Sequence, residues 1–186
     1  VRFNETGNAE VLKIEDALIP NPINDEVMIR VEAIGLNRAE IMFREGQYLE
    51  DPVLPSRLGY EVSGVVEAIG PNVMTFKVGE KVSTVPAFSI GKYGVYGGLA
   101  TVPEHAVARY PESLTAEEGT SIWMSFLTAY GSIIEIGKIK QDDFVLITAA
   151  SSSVGLASIQ IAKTEGAFVI ATTRGIDKKQ FLLDSG

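Results

Sequence analysis

The sequence has 186 residues, with 16 Lys and Arg against 24 Asp and Glu for a formal charge of −8, and it is 46% hydrophobic and 22% charged. That is the balance of a folded, soluble chain long enough to bury a real core. A sequence pI near 4.7 and no Lys/Arg cluster argue against a nucleic-acid partner, because an acidic surface repels phosphate backbones. Zero cysteines exclude disulfides, thiolate zinc sites, iron–sulfur clusters and a Cys nucleophile.

Residues 1–10 lack a basic end followed by an apolar core, so no signal peptide is expected. The most apolar long stretch, 122–136, is broken by Ser125, Thr128, Gly131, Ser132 and Glu135. It falls short of the roughly 18 uninterrupted residues that a bilayer span requires. Together these features predict a cytoplasmic protein without a membrane partner.

From residue 11 to about 111 the signal is short strands punctuated by turns. Val27, Ile29, Val31 and Ala33 alternate with Met28, Arg30 and Glu32, which predicts a half-buried strand. Residues 37–44 have helical character and stop at Gly46. A second strand over 61–69 closes at Gly70-Pro71-Asn72. Gly79 makes a tight reversal before a strand over 82–85, and another covers 99–102. Close-spaced strands with little helix predict a compact, barrel-like β domain.

The period changes near residue 115, which places a domain boundary between 114 and 115. Thr115-Ala116-Glu117-Glu118 has capping-box spacing, and an apolar helix of about two to five turns is expected after it, interrupted near Gly131 and finished by Gly137. A buried strand (144–148), a small-residue loop (149–153), a helix (154–165) stopped by Gly166 and a second apolar strand (167–172) then form one βαβ unit. Residues 178–183 open another helix. Two parallel strands with one crossover helix cannot cover both faces of a sheet, so the chain reads as part of a longer polypeptide.

The turn after the first of these strands is Ala149-Ala150-Ser151-Ser152-Ser153-Val154-Gly155. Aligned to G-x-G-x-x-G, the glycine positions hold Ala150, Ser152 and Gly155, and only the last keeps its glycine. Small residues still let a pyrophosphate approach the loop, and the N–H groups opening the next helix face it with the positive end of the dipole. The second strand runs into Thr172, Thr173 and Arg174. An NAD site favours Asp or Glu there, whereas a 2′-phosphate favours the positive charge and hydroxyl that Thr173, Arg174 and Lys178 supply. NADPH is the expected cofactor. The alternative is a purely structural strand-turn-helix with solvated charges.

Five stretches carry a resemblance. They are Ala33-Ile34-Gly35-Leu36-Asn37-Arg38-Ala39-Glu40, Leu58-Gly59-Tyr60-Glu61-Val62-Ser63-Gly64-Val65-Val66, Phe76-Lys77-Val78-Gly79-Glu80-Lys81-Val82, Leu127-Thr128-Ala129-Tyr130-Gly131, and residues 149–163. In this order they resemble the zinc-free branch of the medium-chain dehydrogenase/reductase superfamily, the quinone oxidoreductase (zeta-crystallin-like) group. The resemblance implies an α/β chain with a GroES-like β-barrel catalytic domain over 1–114. A linker helix and the first βαβ unit of a Rossmann dinucleotide-binding domain would follow over 115–186. It implies an amino-terminal portion of a longer enzyme, a homodimer when full length.

The departures from the zinc-dependent relatives are informative. Those carry Cys where Asn37 stands and His where Tyr60 stands, and often a four-cysteine lobe absent here. Glu61 and a distant His105 cannot rebuild such a site, so no metal is expected. The resemblance places Asn37 beside the nicotinamide, Tyr48 at the pocket mouth and the Thr128 hydroxyl at the nicotinamide end. Met42 replaces a frequent tyrosine. Thr128 bonding its own helix backbone is the bland reading, as core packing is for Trp123, Met124 and Phe126.

The expected function is hydride transfer from NADPH to a small-molecule quinone or conjugated carbonyl. Asn37 and Tyr48 stabilise the oxygen, and residues 150–155, Thr128, Thr173, Arg174 and Lys178 hold the cofactor. Alcohol oxidation and a non-catalytic nucleotide-binding or structural role are the competing readings.

Overall fold

The strand signals over residues 11–111, with an additional short strand before them, resolve into seven strands in the computed structural model, which describes residues 1–186. They are β1 (Arg2–Phe3), β2 (Glu26–Gly35), β3 (Ser56–Arg57), β4 (Glu61–Ile69), β5 (Lys81–Thr84), β6 (Leu99–Pro103) and β7 (Val107–Ala108). Five form an antiparallel sheet in the order β6-β2-β4-β5-β7, and β1 pairs with β3. The pairing of β2 with β4 shifts register between Met28 and Ile29 and again between Val31 and Ala33. Such bulges bend a strand and raise its twist, and the sheet curls into a half-barrel. Curling also explains a departure from strict alternation, since Val27, Met28 and Ile29 are all buried. The core is aliphatic, with Val27, Ile29, Val62, Val66, Val82 and Val102 fully enclosed. Phe3 meets Phe43 edge to face at 5.9 Å.

Three short helices decorate this sheet: α1 (Arg38–Arg44), α2 (Ile90–Tyr93) and α3 (Ala116–Gly119). The capping box before α3 is present on both sides. Glu118 N–H donates to Thr115 Oγ1 at 3.3 Å and Thr115 N–H donates to Glu118 Oε2 at 2.8 Å. It caps a single turn, however, and not the long helix expected. That turn stays with the β-sheet, because Ser63 Oγ on β4 donates to the Ala116 carbonyl. Trp123 Nε1 likewise donates to Ser83 Oγ on β5 at 3.0 Å. The chain accordingly divides into two compact units, Val1–Trp123 and Met124–Gly186, beyond the change of period at 114/115.

The second unit opens with most of α4 (Trp123–Tyr130), which passes into a π-helical segment, Gly131–Ile136, at the glycine where an interruption was expected. Strand β8 (Phe144–Ile147) then pairs in parallel with β9 (Phe168–Ala171), joined through α5 (Ser153–Thr164), and α6 (Lys179–Asp184) ends the chain. Gly155, Ser158, Ile159 and Ala162 line the buried stripe of α5 at helical spacing. Ile147, Ala150, Ile159 and Leu182 form the unit's small core, with Val145 and Val169 against it.

The strand expected to be buried over 144–148 is instead exposed along one face. Phe144 is 74% and Phe168 53% exposed, and Leu146 and Ile170 are exposed beside them. Side chains alternate across a strand, and one crossover helix covers only one face of this pair. No helix is long and apolar enough to cross a membrane.

Candidate functional site

In the first unit, Asn37 is the residue before α1 and has extended backbone (φ −129°, ψ 158°). Its backbone N–H donates to Glu40 Oε2 at 2.8 Å, and its side-chain Nδ2 donates to Glu61 Oε2 at 2.8 Å. Glu40 also accepts the Tyr60 backbone N–H, at 3.2 Å on Oε1. A single buried carboxylate therefore ties the start of α1 to the turn preceding β4. Both carboxylates are enclosed, Glu40 at 4% and Glu61 at 3% exposure. Burial pushes the Glu40 carboxyl above its ordinary value, opposed by the backbone N–H groups it accepts.

Tyr48 is half-buried, and its ring meets that of Tyr60 at 6.2 Å. Tyr60 packs on Phe88 at 5.5 Å, and Phe88 on Tyr93 at 6.2 Å. These four rings form an aromatic wall with phenol hydroxyls on it. Burial, then the neighbouring Tyr48, hold the Tyr60 phenol above its ordinary value, so it stays protonated at neutral pH. The loop bearing Phe88 is anchored by Glu50, which accepts from Ser89 Oγ and from the Gly91 N–H. His105 is exposed and bonds the Ala87 carbonyl at 3.1 Å. No group of three His, Cys, Asp or Glu side chains is placed to hold a metal ion.

In the second unit the turn between β8 and α5 is built locally. Ser152 caps α5 by accepting the Gly155 N–H at 3.1 Å, and its own N–H donates to the Ala149 carbonyl at 2.9 Å. A Cβ on Gly155 would lie 2.6 Å from the Ala150 carbonyl oxygen and 2.7 Å from that of Ala149. Only glycine fits this approach, and it is the one glycine of the fingerprint that the sequence keeps.

Ser151, Ser152, Thr173, Arg174 and Lys178 line a single cavity of ≈ 550 Å³, with Thr148, Ala149 and Thr172. Ser153 and Val154 open α5, where N–H groups have no intrahelical acceptor. Ala150 stands apart from this group. Its side chain is fully buried and its N–H donates to the Thr172 carbonyl at 3.0 Å, so it joins the two strands. Thr128 is exposed, and its hydroxyl donates to the Met124 carbonyl at 2.6 Å. That is the helix-backbone bond foreseen as its bland reading, and the Thr128 oxygen keeps its acceptor capacity.

Sequence reasoning missed Glu40 and Glu61 as partners of Asn37. The first was within reach, because Asn37-Arg38-Ala39-Glu40 has the same spacing as the box recognised at Thr115. Nothing local marks the second, which comes from a strand 24 positions away.

Residues 23–112 match the alcohol dehydrogenase GroES-like domain family. The whole chain is 36% identical to human quinone oxidoreductase and spans 56% of that protein. Among solved structures, Escherichia coli quinone oxidoreductase complexed with NADPH superposes with a TM-score of 0.91 at 30% identity, covering 100% of this chain and 55% of that one. An NAD-dependent alcohol dehydrogenase superposes with a TM-score of 0.94 at 33% identity, covering 100% of this chain and 61% of that one. The chain thus spans little more than half the length of these relatives.

Proposed function

Because residues 23–112 match the alcohol dehydrogenase GroES-like domain family and the chain is similar to quinone oxidoreductases, we propose that the protein is an oxidoreductase of the medium-chain dehydrogenase/reductase type. It transfers a hydride from NADPH to a quinone or conjugated carbonyl without a metal. The observation that carries this reading is the cavity at the start of α5, where two loop serines, Thr173, Arg174 and Lys178 converge. The residues fit a phosphorylated dinucleotide: hydroxyls and helix N–H groups suit a pyrophosphate, and two cations beside a hydroxyl suit a 2′-phosphate.

NADPH supplies the hydride when bound. Ser151, Ser152 and the N–H groups of Ser153 and Val154 bind the pyrophosphate, the Gly155 approach keeps the turn tight, and Thr173, Arg174 and Lys178 select the 2′-phosphate. Ala150 contributes by fixing the strands, and Thr128 offers an acceptor oxygen to the nicotinamide end. On the first unit, Asn37 and Tyr48 donate to the acceptor oxygen. Charge grows there as the hydride arrives, so these bonds strengthen toward the transition state. The aromatic wall suits a flat, conjugated acceptor. Asn37 and Tyr60 stand where zinc-dependent relatives carry Cys and His, so the chemistry falls to hydrogen-bond donors, not to a Lewis acid.

The test is NADPH consumption by the full-length protein with a quinone, an enone and an aldehyde, beside NADP⁺ reduction with primary alcohols, for wild type and Asn37→Ala. Quinone or enone turnover should dominate, and the substitution should lower it by up to roughly 10²-fold with little change in NADPH affinity. The likeness to an alcohol dehydrogenase structure favours alcohol oxidation as a second reading. Fast alcohol oxidation that survives Asn37→Ala would establish that reading and overturn the first.

A further inference from the structure

We propose that Glu61 is a positioning residue for Asn37, holding its amide so that a hydrogen, not the carbonyl oxygen, faces the acceptor. This inference rests on the reading that Asn37 donates to the acceptor oxygen.

A side-chain amide is close to symmetrical in shape, and packing alone does not choose between its oxygen and its nitrogen. A partner that only accepts does choose. Glu61 Oε2 accepts from Asn37 Nδ2 at 2.8 Å, and a bare carboxyl oxygen has no hydrogen to give. The flipped amide would set two acceptor oxygens against each other in an enclosed site. One hydrogen of the NH₂ group goes to Glu61, and the second, which the Glu40 carboxyl also reaches, is the one the acceptor oxygen would take.

The surroundings are shaped for this contact. Gly35, the last residue of β2, has no side chain, and a Cβ there would lie 2.8 Å from Glu61 Cβ, 3.2 Å from Glu61 Oε2 and 2.7 Å from the Thr120 carbonyl oxygen. The absent side chain is what admits the carboxylate. The carbonyl of the same Gly35 accepts the Tyr96 hydroxyl at 2.7 Å. From the other side, Glu40 fixes the Asn37 backbone. Glu61 thus holds the amide nitrogen from across the sheet, while Glu40 meets both the backbone and the side chain of Asn37.

The test uses the full-length enzyme with NADPH and a quinone. A Gln at 61 offers either an oxygen or an NH₂ group, so it no longer chooses. Glu61→Gln should lower kcat about 10-fold with KM and NADPH affinity nearly unchanged, less than the ~10²-fold typical of losing a donor outright. In the Asn37→Ala background the same change should cost nothing further, because the residue it positions is gone. An equal loss in both backgrounds would make Glu61 merely structural and overturn the proposal. Unimpaired turnover by Asn37→Ala alone would defeat the donor role itself, and the positioning role with it.

A second variant covers a poorly folding Glu61→Gln. Asn37→Asp donates only when protonated, so its turnover should fall as pH rises. The groups facing residue 37 are Glu61 and Glu40 at its side chain and Glu40 again at its backbone, with Tyr60 and Tyr96 beyond Glu40. With Glu61 beside the new carboxyl, the midpoint of that fall should lie roughly 1–2 pH units above the one seen when Glu61→Gln or Glu61→Ala is added. Coincident midpoints would overturn the proposal.

Discussion

The two units hold their candidate residues by opposite means. In the first, Asn37 and Tyr60 are fixed by carboxylates from distant positions, inside a curled sheet whose core is closed. In the second, the loop over 149–155 is fixed almost entirely by neighbours in sequence, on a two-stranded sheet with one open apolar face. A phosphate-binding turn needs only a strand, a tight turn and a helix start, and these are local. Orienting one amide hydrogen needs a partner of chosen charge at a chosen point, which only a folded sheet delivers.

The largest expected effect tests the contrast in burial. Phe43→Ala removes a fully enclosed ring that packs on Phe3 and should cost about 3–5 kcal/mol. Phe168→Ala removes a ring that is 53% exposed and stacked on Phe144 at 5.1 Å, and it should cost only about 0.5–1.5 kcal/mol. Denaturant unfolding of both variants would measure the difference, and equal losses would show that the open face is covered in the protein tested.

Next in size is the cation pair at the loop. Arg174→Ala with Lys178→Ala should weaken NADPH by about 2–3 kcal/mol, the scale of hydrogen bonds to charged groups, and leave NADH almost untouched. Titration with each cofactor separates the two, and equal losses would mean a damaged loop and no 2′-phosphate site.

The smallest effect sharpens the role of buried carboxylates. Burial raises the Glu40 carboxyl in the folded state, so the native protein binds a proton that the unfolded chain has already released. Stability should therefore fall as pH climbs from the ordinary glutamate range through the raised value, since the unfolded state binds fewer protons there. Glu40→Gln should remove that slope, while lowering stability at acid pH because its NH₂ group faces a backbone N–H that Glu40 accepted. Unfolding midpoints measured from pH 4 to 7 would show it, and a slope unchanged in the variant would assign it to another group.

Sequence alone carried the local elements: the helix after Asn37, the capping box at Thr115, the strands flanking the serine-rich turn and the single glycine that turn requires. Each is a matter of hydrogen bonds or steric limits within a few residues, and each appears where expected. The extent of the elements depended on packing. The box at Thr115 caps one turn because β4 and β5 hold that stretch on the sheet. Val27, Met28 and Ile29 are buried together because bulges curl β2. Ala150, inside the turn, is fully buried, and its N–H meets the Thr172 carbonyl at the end of the neighbouring strand. The meeting of Asn37 with Glu61 was decided only by the tertiary structure, because antiparallel pairing of β2 with β4 sets Gly35 opposite Glu61. No periodicity or local spacing encodes which carboxylate a sheet will bring beside an amide.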